Sequence, residues 1–145
     1  MKFTRPELEA EFQELLPVVR VAAMRFDTWC QARGLGHAEV TSINRDPSFY
    51  PTRRFSWHLV KCAIDFRNRH LSIVQKTAAA AWLHASFNTP WWEVITKDHG
   101  TGPHFHLAFT DVDRRRAWFS SISKAPAKAG AQEPQGGTPP PTAAA

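Results

Sequence analysis

The sequence predicts an α+β fold: one domain, residues 1–123, with helices packed on a small antiparallel sheet. Three observations lead there. Apolar residues recur at helical spacing between Thr4 and Gly36, and again between Leu71 and Phe87. Around those stretches lie short β-prone runs bounded by Asn, Asp, Pro and Gly. The 145 residues are 43% hydrophobic and 12% aromatic, enough for one real core and unlike a disordered chain.

The first helix starts at Thr4, a residue suited to an N-cap, with Pro6 in the first turn and Glu7 three positions on, as a capping box requires. Leu8, Phe12, Leu15 and Leu16 form its apolar stripe. Pro17 kinks or restarts the helix, which then runs through Val18, Val21, Trp29 and Cys30 to a C′ glycine at Gly34 or Gly36. Glu39–Ile43 reads as a strand ended by Asn44-Arg45-Asp46-Pro47, and Ser48–Arg54 as a loop. Lys61–Phe66 alternates as a strand that carries Asp65. The alanine-rich stretch Leu71–Phe87 is the second long helix, closed by Asn88-Thr89-Pro90. Trp91–Ile95 and His104–Thr110 read as a hairpin around a Lys97–Gly102 turn, and Asp111–Ser123 as a last short helix. Residues 124–145 turn to Ala, Pro, Gly, Gln and Thr, a composition with too little to bury, so a disordered tail is expected.

The net charge of +5 favours an anionic partner without choosing among nucleic acid, membrane surface and cell wall. Cys30 and Cys62 are too few for a disulfide framework and read as free thiols of a reducing compartment. The N-terminus lacks an apolar signal segment, and no apolar run approaches the ~20 residues needed to span a bilayer. Cytoplasmic synthesis without an integral membrane segment is the expectation.

Two stretches carry the chemistry. Ser56-Trp57-His58 through Asp65 places a histidine seven positions ahead of an aspartate. Gly102-Pro103-His104-Phe105-His106 places two histidines two apart in an apolar strand, where i and i+2 share a face. His58 and Asp65 can meet only if the chain doubles back between them. Buried paired histidines are costly unless a metal or hydrogen bonds compensate them. Two imidazoles and one carboxylate suit a zinc ion with its fourth position left open.

Together the motifs resemble the D-Ala-D-Ala carboxypeptidase and L-alanyl-D-glutamate endopeptidase family, of the fold group that includes lysostaphin-type peptidases and the Hedgehog signalling domain. Its first motif, Ser-x-His-x-x-Gly-x-Ala-x-Asp, follows a Thr-Ser-x-x-Arg-like stretch. Here Thr41-Ser42-Ile43-Asn44-Arg45 precedes Ser56, His58, Ala63 and Asp65 in register, and His104-x-His106 follows. The resemblance covers about residues 10 to 110 and implies a Hedgehog/DD-peptidase-like fold that holds Zn2+. His58, Asp65 and His106 would be the ligands. His104 would assist water attack or stabilise the oxyanion, and Arg45 would polarise the scissile carbonyl or hold a substrate carboxylate. The implied activity is zinc-dependent hydrolysis of peptidoglycan stem peptides by a monomer that binds no nucleic acid. A phage or prophage lysis enzyme, acting on the wall after release, fits the missing signal sequence.

Two departures stand out. Lys61 replaces the motif's glycine, so either the backbone there avoids positive φ or the turn differs. No carboxylate stands three residues before the last ligand: those positions are Pro103 for His106 and Thr101 for His104, and Glu93 and Asp98 are out of register. Either histidine of the pair can be the third ligand, with His106 preferred. Two other functions remain open. One is a non-catalytic metal-, wall- or partner-binding module on the same fold. The other is a single-strand endonuclease of the His-hydrophobic-His kind, disfavoured because the only tyrosine, Tyr50, precedes the histidines. The other histidines read as structural: His37, His70 and His84 as surface or helix-packing residues, His99 as a solvated turn residue. Trp57, Trp91 and Trp92 read as core or cleft wall, Cys62 as packing, and Arg114, Arg115 and Arg116 as a solvated helix face.

Overall fold

The computed structural model describes residues 1–45, 55–96 and 102–124. Its elements are β1 (Lys2–Phe3), α1 (Glu7–Glu14), α2 (Pro17–Ala32), β2 (Glu39–Ser42), a 3-10 turn (Trp57–Val60), β3 (Ala63–Arg67), α3 (Ile73–Ser86), β4 (Trp92–Ile95), β5 (His104–Phe109) and α4 (Val112–Lys124). The predicted loop at Ser48–Arg54, turn residues 97–101 and the tail beyond 124 lie outside the described residues. The five strands form one sheet in the order β1-β2-β3-β5-β4.

The α+β class holds, but the sheet is mixed rather than antiparallel, because β1 runs parallel to β2. Two residues cannot display a period-2 pattern, so no sequence signal marks β1. Main-chain bonds place it: Lys2 N–H donates to the Ala38 carbonyl (2.9 Å) and Thr4 N–H to that of Val40 (3.0 Å). That pairing also draws Thr4 away from the helix, so the predicted capping box does not form and Pro6 sits at the N-cap without a side-chain cap.

Pro17 restarts the helix rather than kinking it. Leu15 and Leu16 are extended (ψ 149° and 130°), as residues approaching a proline prefer, and Pro17 opens α2 where its missing N–H costs nothing. Gly34 is the C′ residue: at φ +68° it lets its own N–H reach the Gln31 carbonyl and the Leu35 N–H that of Cys30. Helix α3 begins at Ile73 rather than Leu71, because Ser72 and Gln75 cap each other reciprocally.

Strand alternation divides the sheet into two faces. Val40, Ile64, Phe66, Phe105 and Leu107 pack with Leu8, Phe12, Val19 and Leu83 in the main core. At its centre Phe26 meets Phe66 and Phe105 edge-on, at 5.0 and 6.2 Å. Strands β3 and β5 turn Ala63, Asp65, Arg67, His104, His106 and Ala108 to the other face. A second apolar cluster of Trp57, Cys62, Ala63 and Ala108 covers one end of that face, and α4 leans on it through Phe55 and Trp118 (5.4 Å). Trp92 packs on the main core, whereas Trp91, one residue outside the strand, is 58% exposed and is neither core nor packed wall. The three arginines expected on a solvated face are all exposed, though Arg114 also donates to the Val60 carbonyl and Arg115 lies over the Phe55 ring. Both cysteines are free and buried, and burial pushes their thiols up to about 12 (Cys30) and about 11 (Cys62), which leaves them unreactive. No helix among the described residues is long and apolar enough to cross a membrane.

Lys61 does adopt the left-handed conformation, at φ 59°, ψ 33°. The backbone there makes the turn a glycine would make, with a lysine in its place. Its carbonyl accepts from Leu16 N–H, and its ammonium meets Glu14 at 2.7 Å in solvent. Left-handed geometry costs a non-glycine residue on the order of 1 kcal/mol, part of which a glycine returns as unfolded-chain entropy. Lys61→Gly is therefore expected to raise the urea midpoint slightly and Lys61→Val, β-branched, to lower it clearly. Equal midpoints for the two variants would contradict a left-handed residue 61.

Candidate metal centre

The antiparallel register of β3 and β5 sets Asp65 directly opposite His106, so the two distant motifs meet as cross-strand neighbours. His58 arrives from the 3-10 turn. The turn closes through Cys62 N–H on the Trp57 carbonyl (3.0 Å), and Lys61 reverses the chain into β3. This is the doubling-back that the spacing of His58 and Asp65 demanded. A bulge in β2 between Val40 and Ser42 re-aims the Thr41–Arg45 segment toward the same place. The Ile43 carbonyl thereby accepts from His58 Nδ1, and Arg45 Nε donates to Ser42 Oγ.

Asp65 is the focus. Its Oδ1 lies 2.8 Å from His106 Nδ1, 3.2 Å from His58 Nε2 and 3.9 Å from His104 Nε2, and its Oδ2 accepts from Arg45 Nη2 at 2.7 Å. Donor atoms of His58, Asp65 and His106 all lie within 4.8 Å of one another, and all three residues are buried. His104 stands at the edge of that group, its Nδ1–H donating to the Gly102 carbonyl at 2.7 Å. Arg45 reaches the centre, but through Asp65.

Glu93 is the residue that reasoning along the chain missed. Counting back from His106 cannot find it, because it comes from the neighbouring strand: β4 pairs with β5 so that Glu93 faces Ala108, diagonal to His106. Its Oε1 lies 3.3 Å from His106 Nε2, and it accepts a hydrogen bond from the Trp57 side chain. The available signal was a single carboxylate between Trp92 and Val94, in a strand that runs into the His-x-His hairpin.

The electrostatics are those of a centre built for a cation. Burial alone would raise the Asp65 carboxyl, but the facing histidines outweigh it and hold Asp65 well below the usual carboxylate range. Burial dominates at His58 and keeps its imidazole neutral, against the pull of Asp65. Burial would also depress His106, yet Asp65 and Glu93 lift it to about 9. Glu93 is lowered, chiefly by its contact with His106.

These facts test the fit of a metal. The Ile43 carbonyl can only accept, so neutral His58 carries its proton on Nδ1 and turns the Nε2 lone pair toward Asp65 Oδ1. Two acceptors 3.2 Å apart need a cation between them. Tetrahedral ligands at about 2.0–2.1 Å from a metal stand roughly 3.3 Å apart. Asp65 Oδ1 lies near that distance from His58, at 3.2 Å, and from His106, at 2.8 Å, within a group whose atoms all lie inside 4.8 Å. His58 on a backbone carbonyl and His106 on Glu93 also have the outer partners that orient metal-ligating imidazoles. The residues fit.

Fold and centre together define an α+β domain with a mixed five-stranded sheet and a buried two-histidine, one-aspartate group able to hold a metal ion. Comparison of the chain with protein-family models, with curated proteins and with solved structures gives no match.

Proposed function

We propose that this chain is a zinc peptidase, on a Hedgehog/DD-peptidase-like fold, that hydrolyses peptide bonds in peptidoglycan stem peptides. The observation that carries the reading is the meeting of His58, Asp65 and His106 within 4.8 Å, in the order and spacing of that family's motif. Two imidazoles and a carboxylate, with an open fourth position, make a catalytic rather than a structural zinc set. Zinc held there would lower the pKa of a water molecule to about 7 and polarise a carbonyl.

The chain's own groups divide the remaining work. Glu93, ionised at neutral pH and 43% exposed, takes the proton of the attacking water while it orients His106. His104 holds its proton on Nδ1 against Gly102 and turns Nε2 toward the centre, 3.9 Å from Asp65 Oδ1, where it would orient the water. Arg45, 19% exposed, fixes Asp65 through Nη2, and its guanidinium beside the centre would polarise the scissile carbonyl.

The test is incubation of the zinc-loaded chain with purified peptidoglycan, with metal content assayed on the same sample. About one zinc per chain and release of new amino and carboxyl ends are expected. Full zinc occupancy without any product would make the chain a binding module. A folded chain that takes up no zinc would remove the site and the function together.

A further inference from the structure

The net charge of +5 leaves the chain's anionic partner open, and helix α4 narrows the choice. Val112, Arg115, Arg116 and Phe119 stand at i, i+3, i+4 and i+7, so one stripe of the helix carries all four. The stripe is exposed, with Val112 at 47%, Phe119 at 40% and the Arg116 side chain at 77%. The opposite stripe, Arg114, Trp118 and Ser121, faces the 3-10 turn and lines a groove of about 380 Å3 with Leu59, Val60 and Lys61. Trp91, 58% exposed, sits at the start of the same helix. Thr110 holds it there: its N–H donates to the Trp91 carbonyl at 2.8 Å and its Oγ1 to that of Pro90 at 3.1 Å.

Three large apolar groups thus stand in water among arginines. Arg115 lies over the Phe55 and Phe119 rings, at 5.6 and 5.9 Å, so its charge rides on aromatic faces. A phosphate backbone in water would use the arginines and leave Val112 and the apolar groove wet. The headgroup–acyl boundary of a bilayer takes both, since apolar groups sink to acyl depth while the guanidiniums reach the phosphates. Three arginines against Asp111 and Asp113 favour lipid of negative charge. We infer that α4 and Trp91 form a face that attaches the folded domain to an anionic lipid surface. Attachment is peripheral and asks nothing of the metal centre.

Co-sedimentation of the full chain with large unilamellar vesicles tests the face. The probes are vesicles of phosphatidylglycerol and phosphatidylcholine in equal parts, and vesicles of phosphatidylcholine alone. At low salt the mixed vesicles should bind about tenfold tighter or more, and about 1 M salt should erase the difference. Arg116→Gln should lower affinity for the mixed vesicles about fivefold. Trp91→Ser and Phe119→Ser should each lower it about tenfold. Phe119 touches the aromatic cluster, so the exposed Arg116 and Trp91 carry the test, and their variants should keep the parent's urea midpoint. No binding to the mixed vesicles overturns the inference, as does equal binding to both kinds. Affinity unchanged in Arg116→Gln and Trp91→Ser puts the lipid on another surface and overturns it too. A chain that binds a single-stranded oligonucleotide in place of vesicles, with the same variants impaired, has a nucleic-acid face instead.

Discussion

Asp65→Asn is expected to abolish metal retention and, in the metal-stripped chain, to destabilise the fold by about 3–5 kcal/mol, the usual result of removing one partner from a buried charged pair. The side chain keeps its shape and loses only its charge, so the effect is electrostatic. Oδ1 is the atom on which His58, His106 and His104 converge, and Oδ2 accepts from Arg45, which would lose this charge-assisted contact. The pH dependence follows from the signs of the shifts. The Asp65 carboxyl is depressed in the folded chain, so its contribution is present above the unfolded aspartate value of about 4 and is lost as pH falls. His106 is raised to about 9, so its contribution is full below about 6.5 and is lost as pH climbs through 9. The stability gap between parent and variant should be widest between about pH 4 and 6.5 and narrow on both sides. Urea unfolding in the presence of a chelator measures it, and a gap that does not vary with pH would contradict the assigned network.

Glu93→Gln should leave about one zinc per chain and lower kcat by roughly a hundredfold to ten-thousandfold, with KM little changed. The amide oxygen of glutamine can still accept from His106 Nε2–H, so the orienting contact survives while the base is lost. Steady-state kinetics on a stem-peptide substrate, with zinc assayed on the same preparation, separates the two roles. If zinc falls with the rate, Glu93 only orients His106. If kcat stays within a few-fold of the parent, the proton goes elsewhere, and His104 Nε2 is the group positioned to take it.

Much of this arrangement was legible in the sequence because its physics is local. Alternation in Ala63–Arg67 and His104–Phe109 assigns Asp65, His104 and His106 to one face before any partner is known, and the apolar residues between them to the other. Gly34 ends α2 for a reason confined to a few residues, the left-handed turn that closes two hydrogen bonds. Pro17 divides the N-terminal helix by holding the residue before it extended and opening α2 at its own fixed φ. The turn at Lys61 was not legible: a lysine in that place argued against positive φ, yet the backbone there is left-handed.

What stayed hidden depends on pairing between distant segments. β1 has no pattern of its own and exists only because Ala38 and Val40 offer it carbonyls. Glu93 looked out of register because register had been counted along the chain, whereas the sheet sets it diagonal to His106 across a strand boundary. Arg67 lay beyond the expected strand Lys61–Phe66, and β3 extends to it because β5 pairs it with His104. The sequence by itself determined the α+β class and the faces of the strands, because periodicity and backbone sterics act over a few residues, and its motifs named the His58, Asp65 and His106 group that the fold brings together. Only the tertiary structure decided which carboxylate meets His106 Nε2 and which arginine pairs with Asp65. Those choices depend on strand order and register, set by burial across the whole sheet rather than by any one segment.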